Sequence, residues 1–277
     1  MRQNWMELIW IGTSVIALSA MSGCGQQGLQ PDTLVITGSS TMAPFVQEIG
    51  HRFEALYPNV RVDVQTGGST RGIADARTGL ANIGMTSRSL NGEEKDLYGV
   101  EIARDGICII LNNTIPVREL HPNQIRQIYR GEVTDWSDVD ARASGPITVV
   151  SKAAGRSTLD LFLHHFGLRA EEIYASVIIG DNEQGIKTVA GNPHAIGYVS
   201  IGTAEYAVTH GTPIRLLPLD GITASVESVR AGRFPLSRPL TLVMLNQPTG
   251  LAGEFIRFAT SSEVHDVIKE HYFVPLQ

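Results

Sequence analysis

The sequence predicts an α/β protein of two lobes, each a mainly parallel sheet flanked by helices. Three observations predict it. Short apolar runs alternate with amphipathic stretches in the order β-α-β-α-β, with short connections, as when helices cover a parallel sheet. The alternation starts again after His121. A chain of 277 residues, 43% hydrophobic and 18% charged, is long and apolar enough for two ordinary cores.

The elements follow in order. TLVITG, Thr33 to Gly38, is a short apolar run closed by glycine and reads as a buried strand. Over residues 42–57, Phe45, Ile49, Phe53 and Leu56, with Val46 alongside, make one helix face, and Pro58 stops the helix. VRVDVQTG, Val60 to Gly67, alternates as a strand does. Ser69 to Gly79 reads as a short helix, with Ser69 or Thr70 as its N-cap and Gly79 past its end. ANIGMTS is an apolar strand ending in Thr86, Ser87 and Arg88. VEIARDGICIILN is a strand pair or one bent strand. In the second half HPNQIRQIYRG is a helix, PITVVSK a strand, STLDLFLHHFG and NEQGIKTVAG helices, and AIGYVSI a strand. LTLVML is a strand again, and GLAGEFIRFATSSEVHDVIKEH a last helical region.

The formal net charge of −6 argues against a general nucleic-acid binder, which needs a basic face. It leaves a small-anion site open, because backbone N–H groups and a few local cations can build one. Enzyme signatures are missing: no G-x-S-x-G elbow, no H-E-x-x-H and no Walker spacing occurs. His164 and His165 are adjacent and fall on different helix faces. His194 and His210 lack the neighbours of a zinc site. No metal or cofactor is expected. Cys108, in DGICIILN, is expected to be a buried small side chain, with no disulfide to Cys24.

Residues 1–23 read as a targeting segment. Leu8 to Ala20 is apolar but too short for a typical membrane span. Met21, Ser22 and Gly23 before Cys24 resemble the bacterial lipobox, with Met21 where that motif usually has Leu. The resemblance implies cleavage before Cys24 and its lipidation; an ordinary signal peptide and an uncleaved anchor are the alternatives. Residues 24–32 then form the lipidated cysteine and a short tether. No later segment is long and apolar enough to span a bilayer as a helix, so an exported body facing the periplasm or cell exterior is expected.

At three places hydroxyl residues stand where a helix begins: Ser39-Ser40-Thr41, Gly68-Ser69-Thr70 and Gly155-Arg156-Ser157-Thr158. The first N–H groups of a helix have no internal partner, and the helix dipole adds partial positive charge. Plain N-capping explains any one such place. Convergence on an oxyanion explains all three. A helix start contributes about 0.3–1 kcal/mol and a charge-assisted hydrogen bond roughly 1.5–3 kcal/mol. A micromolar ligand needs about 8 kcal/mol, which three converging starts can reach.

The block from Thr37 to Leu90, with AIGYVSIG and FPLSRPLTLVML later, resembles the phosphate-binding proteins of phosphate-specific ABC transporters. The likeness runs from about Thr33 to Pro275. It implies a two-lobed, Venus-flytrap periplasmic-type receptor of the type II architecture. Lobe 1 would be residues 33–106 plus 238–277 and lobe 2 residues 107–237, with crossings near EIARDGICII and SRPLTLV. It also implies inorganic phosphate as ligand, delivery to ABC permease subunits, a membrane contact through the lipid on Cys24, no nucleic acid, and a monomer.

Residue by residue, Ser39, Ser40, Thr41, Ser69 and Thr70 match the family's first two loops. Where the family often reads Gly-Ala-Ser-Asp, with an Asp that accepts the phosphate proton, this chain has Gly84-Met85-Thr86-Ser87, then Arg88. Where the family often reads Arg-Ala-Asp-Gly-Ser-Gly-Thr, it has Lys152-Ala153-Ala154-Gly155-Arg156-Ser157-Thr158. The resemblance thus implies phosphate contacts from Ser39, Ser40, Thr41, Ser69, Thr70, Ser87, Arg88, Lys152, Arg156, Ser157 and Thr158. Both family carboxylates are replaced; Asp105, Asp181 or Glu183 are the candidate substitutes, and Ser87 can also accept through its oxygen. A receptor for sulfate or a molybdate-like anion, or an anion-sensing lipoprotein, remains an alternative. Arg71 and Asp75, four apart, are expected to form a surface ion pair.

Overall fold

The computed structural model describes residues 32–276. The targeting segment, the tether up to Pro31 and the lipidation site Cys24 lie outside the described residues.

The first half runs β1 (Asp32–Gly38), α1 (Ala43–Leu56), β2 (Val60–Thr66), α2 (Ser69–Thr78) and β3 (Ile83–Thr86). A long strand, β4 (Tyr98–Asn112), leads into the second half. There α3 (Pro122–Tyr129), β5 (Thr148–Lys152), α4 (Ser157–Phe166), β6 (Val177–Ile179), α5 (Asn182–Gly191), β7 (Ala195–Ser200), α6 (Ile201–Thr209), β8 (Ile214–Leu216) and α7 (Val226–Arg230) follow. The chain returns along β9 (Ser237–Met244) and ends with α8 (Gly250–Ala259), α9 (His265–Glu270) and β10 (Val274–Pro275).

The main strand order is β2-β1-β3-β9-β4-β7-β5-β6. Its wings are parallel, as the element order predicts: β1 pairs with β2 and β3, and β5 with β6 and β7. The middle is antiparallel, because β4 carries the chain outward and β9 brings it back. VEIARDGICIILN is one strand with a register shift between Glu101 and Ala103.

Two apolar cores flank this middle. One holds Leu34, Ile36, Phe45, Phe53 and Ile102 to Ala103, then Leu240 to Phe273 of the return. The other runs from Ile107 to Leu236, takes in Val274 near the chain end, and includes Tyr129, Trp136, Phe162 and Tyr198. The cores therefore part between Ala103 and Ile107 on β4 and between Leu236 and Leu240 around the start of β9. Such a sheet places ligands beyond the carboxyl ends of its parallel strands. Here β1, β3 and β5 end at Gly38, Thr86 and Lys152.

Gly72 lets α2 approach that end closely. A Cβ there would lie 2.6 Å from Thr37 O and 2.9 Å from Met85 O, so any side chain would push the helix off β1 and β3. Five elements escaped the sequence reading: β6, α6, β8, α7 and β10. The three strands have three residues or fewer, too few to show a period of two. Helix α6 follows β7 without a connecting residue, so its apolar start merges with the strand. One cap is corrected: the N-cap of α2 is Gly68, at φ +94°, and neither Ser69 nor Thr70. Gly79 ends that helix in the left-handed conformation, as expected.

Candidate functional site

The hydroxyls at the three helix starts do not cap. Helices α1, α2 and α4 have Met42, Gly68 and Arg156 as N-caps, and none makes a side-chain capping bond. Ordinary caps occur elsewhere: Asp181 caps α5, Ser200 caps α6 and Ser225 caps α7. Yet Ser39, Thr41, Ser69, Ser87, Ser157 and Thr158 are all buried. Buried hydroxyls need partners, and most of these find them in one another and in one arginine.

That arginine is Arg238, the second residue of β9. Its Nε and Nη2 donate to Asp105 Oδ2 at 3.1 and 2.7 Å. Its Nη1 donates to Thr158 Oγ1 at 3.0 Å and to Ser87 Oγ at 3.3 Å. Its Nη2 also reaches Thr41 Oγ1 at 3.4 Å. One guanidinium fork thus ties hydroxyls from α4, from the end of β3 and from the approach to α1. Ser39 Oγ donates to Ser87 Oγ (3.1 Å), and the Ser87 N–H donates to Ser69 Oγ (3.2 Å), which joins the first two loops. Ser157 Oγ is buried and has no hydrogen-bond partner.

The second cation is Lys152, the last residue of β5 and only 4% exposed. Its Nζ donates to Asn182 Oδ1 at 2.9 Å. Asn182 Nδ2 donates in turn to Thr41 Oγ1 at 3.1 Å, which bridges the two halves of the chain. Burial, reinforced by the nearby charges of Arg238 and Arg156, holds the Lys152 ammonium down to a pKa of about 7, with Asp181 opposing. Below it, Tyr198 OH accepts from the Lys152 N–H (3.2 Å) and bonds Ser151 Oγ (2.9 Å). The Tyr198 ring stacks on Phe162, so the floor is rigid. Burial also pushes the Tyr198 phenol up to about 12.

Of the remaining expected residues, Thr70 and Arg156 lie at the seam where the two halves of the chain touch. The Thr70 N–H donates to Gly155 O at 3.3 Å, while the Thr70 side chain is exposed and Ser40 half-buried. Arg156 is half-buried. Its Nη2 would lie 3.6 Å from a Cβ on Gly180 and its Cδ 3.1 Å from one on Gly68, so it spans both glycines. Arg88 is engaged elsewhere. Its two terminal nitrogens donate to both Glu94 carboxylate oxygens at 2.7 Å, and Nε is 3.8 Å from Asp160 Oδ2. That pairing holds Glu94 below the usual carboxylate range and Arg88 above its own ordinary value. Arg71 pairs with Asp75 at 3.2 Å. Cys108 is buried and free. Among the described residues no group of three His, Cys, Asp or Glu side chains could hold a metal ion, and no helix is long and apolar enough to cross a membrane.

Residues 25–263 match the model of the PBP superfamily domain. The chain belongs to the PBP superfamily. Within it, the chain is 24% identical over 281 residues to the phosphate-binding protein PstS of Borreliella burgdorferi, covering 98% of this chain and 100% of that one. A solved structure from Clostridium perfringens, described as a phosphate ABC transporter substrate-binding protein with bound phosphate, is 32% identical. It superposes with a TM-score of 0.79 over 89% of this chain and 100% of its own. An ABC-type phosphate transport receptor from Vibrio cholerae is 26% identical, with a TM-score of 0.73 over 88% and 100% of the two chains.

Sequence reasoning in this PBP-superfamily chain missed Arg238 and Asn182. FPLSRPL stands out only for its resemblance to the family, and the strand reads from Leu240 onward, which leaves Arg238 outside it. The available signal was an Arg flanked by Leu236 and Leu240, both of which pack inside. Asn182 sits directly after a helix cap, and nothing in NEQGIKTVAG marks it as facing Lys152. Asp105, read as a spare acceptor, is the partner of Arg238; Oδ1 also accepts from the Gly202 N–H at 3.3 Å. Asp181 caps its own helix, and Glu183 is exposed.

Proposed function

We propose that this chain captures inorganic phosphate between its two lobes, outside the cytoplasmic membrane, and delivers it to an ABC-type importer. One observation carries the reading. Two cations, Lys152 and Arg238, are buried together; Asp105 is bonded to Arg238, while Lys152 donates to the neutral amide oxygen of Asn182. Burying a charge without compensation is costly, and a buried ammonium gives up its proton instead. An anion between these cations would offset that cost, and buried hydroxyls and helix N-termini already surround them. The names of the relatives support phosphate as that anion.

In this reading Thr41, Ser69, Ser87, Ser157 and Thr158 donate to the ligand, Ser39 holds Ser87 in place through its hydroxyl, and Lys152 and Arg238 supply charge. Ser40, Thr70 and Arg156 close the seam, and Arg88 braces the third loop through Glu94. No covalent chemistry is required, so the protein acts as a receptor and not as an enzyme. The bonds that join the halves, Asn182 to Thr41, Arg238 to Thr158 and Thr70 to Gly155, belong to the closed form. Ligand that contacts both halves shifts the population toward closure. The lipobox-like run before Cys24 supports a lipid anchor that keeps a monomeric receptor near its permease.

The test is calorimetric titration of the full-length protein, in detergent, with phosphate at pH 7. Micromolar or tighter binding with one site per chain is expected. A flat titration with folded protein would sink the proposal.

A further inference from the structure

We infer that the site recognises the shape and charge of a tetrahedral oxyanion without reading its proton, so that sulfate is a ligand alongside phosphate and Ser87 sets this breadth. The inference rests on the phosphate reading above and names the ligand class of the same site.

The argument concerns hydrogen-bond polarity. Near neutral pH phosphate keeps a proton and sulfate has none. A site excludes sulfate when an acceptor-only group, an ionised carboxylate, faces the ligand: it takes the phosphate proton and repels the bare sulfate oxygen. Among the described residues two carboxylates are buried, Asp105 and Glu94. Each is already consumed. Asp105 Oδ2 takes two bonds from Arg238, and Oδ1 takes the Gly202 N–H. Both Glu94 oxygens are held by Arg88. Half-buried Asp181 turns Oδ1 back to cap Gln184 N at 2.8 Å.

The remaining groups are donors or hydroxyls. Thr41 Oγ1 accepts from both Arg238 and Asn182, and Thr158 Oγ1 from Arg238. Ser87 Oγ accepts from Ser39 and from Arg238, and Ser69 Oγ from the Ser87 N–H. Thr41 and Ser87 have both lone pairs occupied, so their O–H groups are left to donate, while Thr158 and Ser69 each keep one lone pair and can do either. Ser157 Oγ is unpartnered and can turn either way. Lys152 donates, and a neighbouring dianion favours its ammonium form. A hydroxyl that can turn accepts the phosphate proton and donates to sulfate equally well. Ser87 matters most because it stands at the end of β3, bonded to Ser39, Ser69 and Arg238 at once, where a carboxylate would face the same space.

The experiment is displacement of phosphate by sulfate, at pH 7, from the full-length protein in detergent. A site built around a specific hydrogen bond rejects the ligand lacking it by about 10⁴-fold or more. Sulfate is expected to displace phosphate at less than about a thousandfold excess, well inside that limit. Ser87→Asp is expected to cut sulfate affinity at least about a hundredfold more than phosphate affinity, toward that same limit. Tight phosphate binding that ignores sulfate at that excess overturns the inference and leaves the phosphate reading standing. Binding of neither anion to the wild-type protein overturns the phosphate reading itself. A folded Ser87→Asp that loses the two anions equally overturns the role given to Ser87; if it fails to fold, Ser87→Glu carries that test and the wild-type displacement decides the breadth.

Discussion

Asp105 and Arg238 face each other in register on β4 and β9, and their side chains form an ion pair of 2.7 Å at 1% and 0% exposure. The pair sits where both strands pass from one apolar core to the other. Arg238 also holds Thr41, Ser87 and Thr158. The same guanidinium therefore belongs to the crossing between the two cores and to the proposed anion site. A buried pair of this kind is weak evidence for stability in itself, since desolvation offsets much of the attraction. Its geometry, a fork locked by a carboxylate, is better understood as pre-orienting donors for a ligand.

Removing one partner leaves a buried charge unpaired. Asp105→Leu is expected to lower unfolding free energy by about 3–5 kcal/mol. Replacing both residues with apolar ones, Asp105→Leu with Arg238→Met, should cost less than the sum of the two single changes. Urea denaturation of the four proteins measures the coupling. Additive losses would mean that the two side chains do not act as a pair.

Arg238→Lys keeps the charge and loses the fork. A lysine cannot hold Asp105 and reach three hydroxyls at once. With about 1.5–3 kcal/mol per charge-assisted hydrogen bond lost, phosphate affinity should fall roughly ten- to a hundredfold or more. Arg88→Gln provides the contrast. Its guanidinium is occupied by Glu94, so that change should lower the melting temperature and leave affinity nearly intact. A large affinity loss in Arg88→Gln with unchanged stability would place Arg88 on the ligand instead.

The parallel wings and the helix starts were legible because they rest on local signals. TLVITG and PITVVSK are apolar runs, and Phe45, Ile49 and Phe53 repeat at helical spacing. Ser39, Ser69 and Thr158 could be singled out because a hydroxyl before a helix has a local meaning. Arg238 and Asn182 could not. Their roles depend on residues 133 and 30 positions away, Asp105 and Lys152, and such distant pairings leave no periodicity in the chain. The state of Arg88 was hidden for the same kind of reason. Only the turn through Asn91 brings Glu94 back against it, with the Asn91 N–H donating to Glu94 Oε2 at 2.9 Å.

In the proposed closure the halves meet at Gly68. A Cβ there would lie 2.6 Å from Gly155 O, across the seam, on a residue already at φ +94°. With ψ at 160°, Gly68 lies in a region essentially restricted to glycine, and a side chain there costs about 1–3 kcal/mol in any form of the protein. The clash with Gly155 arises only when the halves meet. Gly68→Ala is therefore expected to lower stability modestly and to weaken phosphate binding further than that strain explains. Small-angle scattering should show wild type compacting on adding phosphate and Gly68→Ala compacting less. Equal compaction in both would show that the seam relaxes around a methyl group.

Lys152 makes stability and binding depend on pH in opposite directions. Its folded pKa of about 7 lies below its ordinary 10.5, chiefly because the ammonium is buried. Between those values the unfolded chain holds a proton that the folded one does not, so ligand-free stability should rise with pH across that window. Below about 7 both states are protonated, and the penalty for burying the charge is fully present. A bound dianion reverses the preference by favouring the ammonium form. Above pH 7, binding should then take up a proton, and phosphate affinity should decline as pH rises. Calorimetry in buffers of different ionisation enthalpy counts that proton. Lys152→Met should lose both the proton uptake and its share of the stability slope between pH 7 and 9. If the variant and the wild type take up the same number of protons, Lys152 is not the titrating group, and its charge is set by something other than the anion.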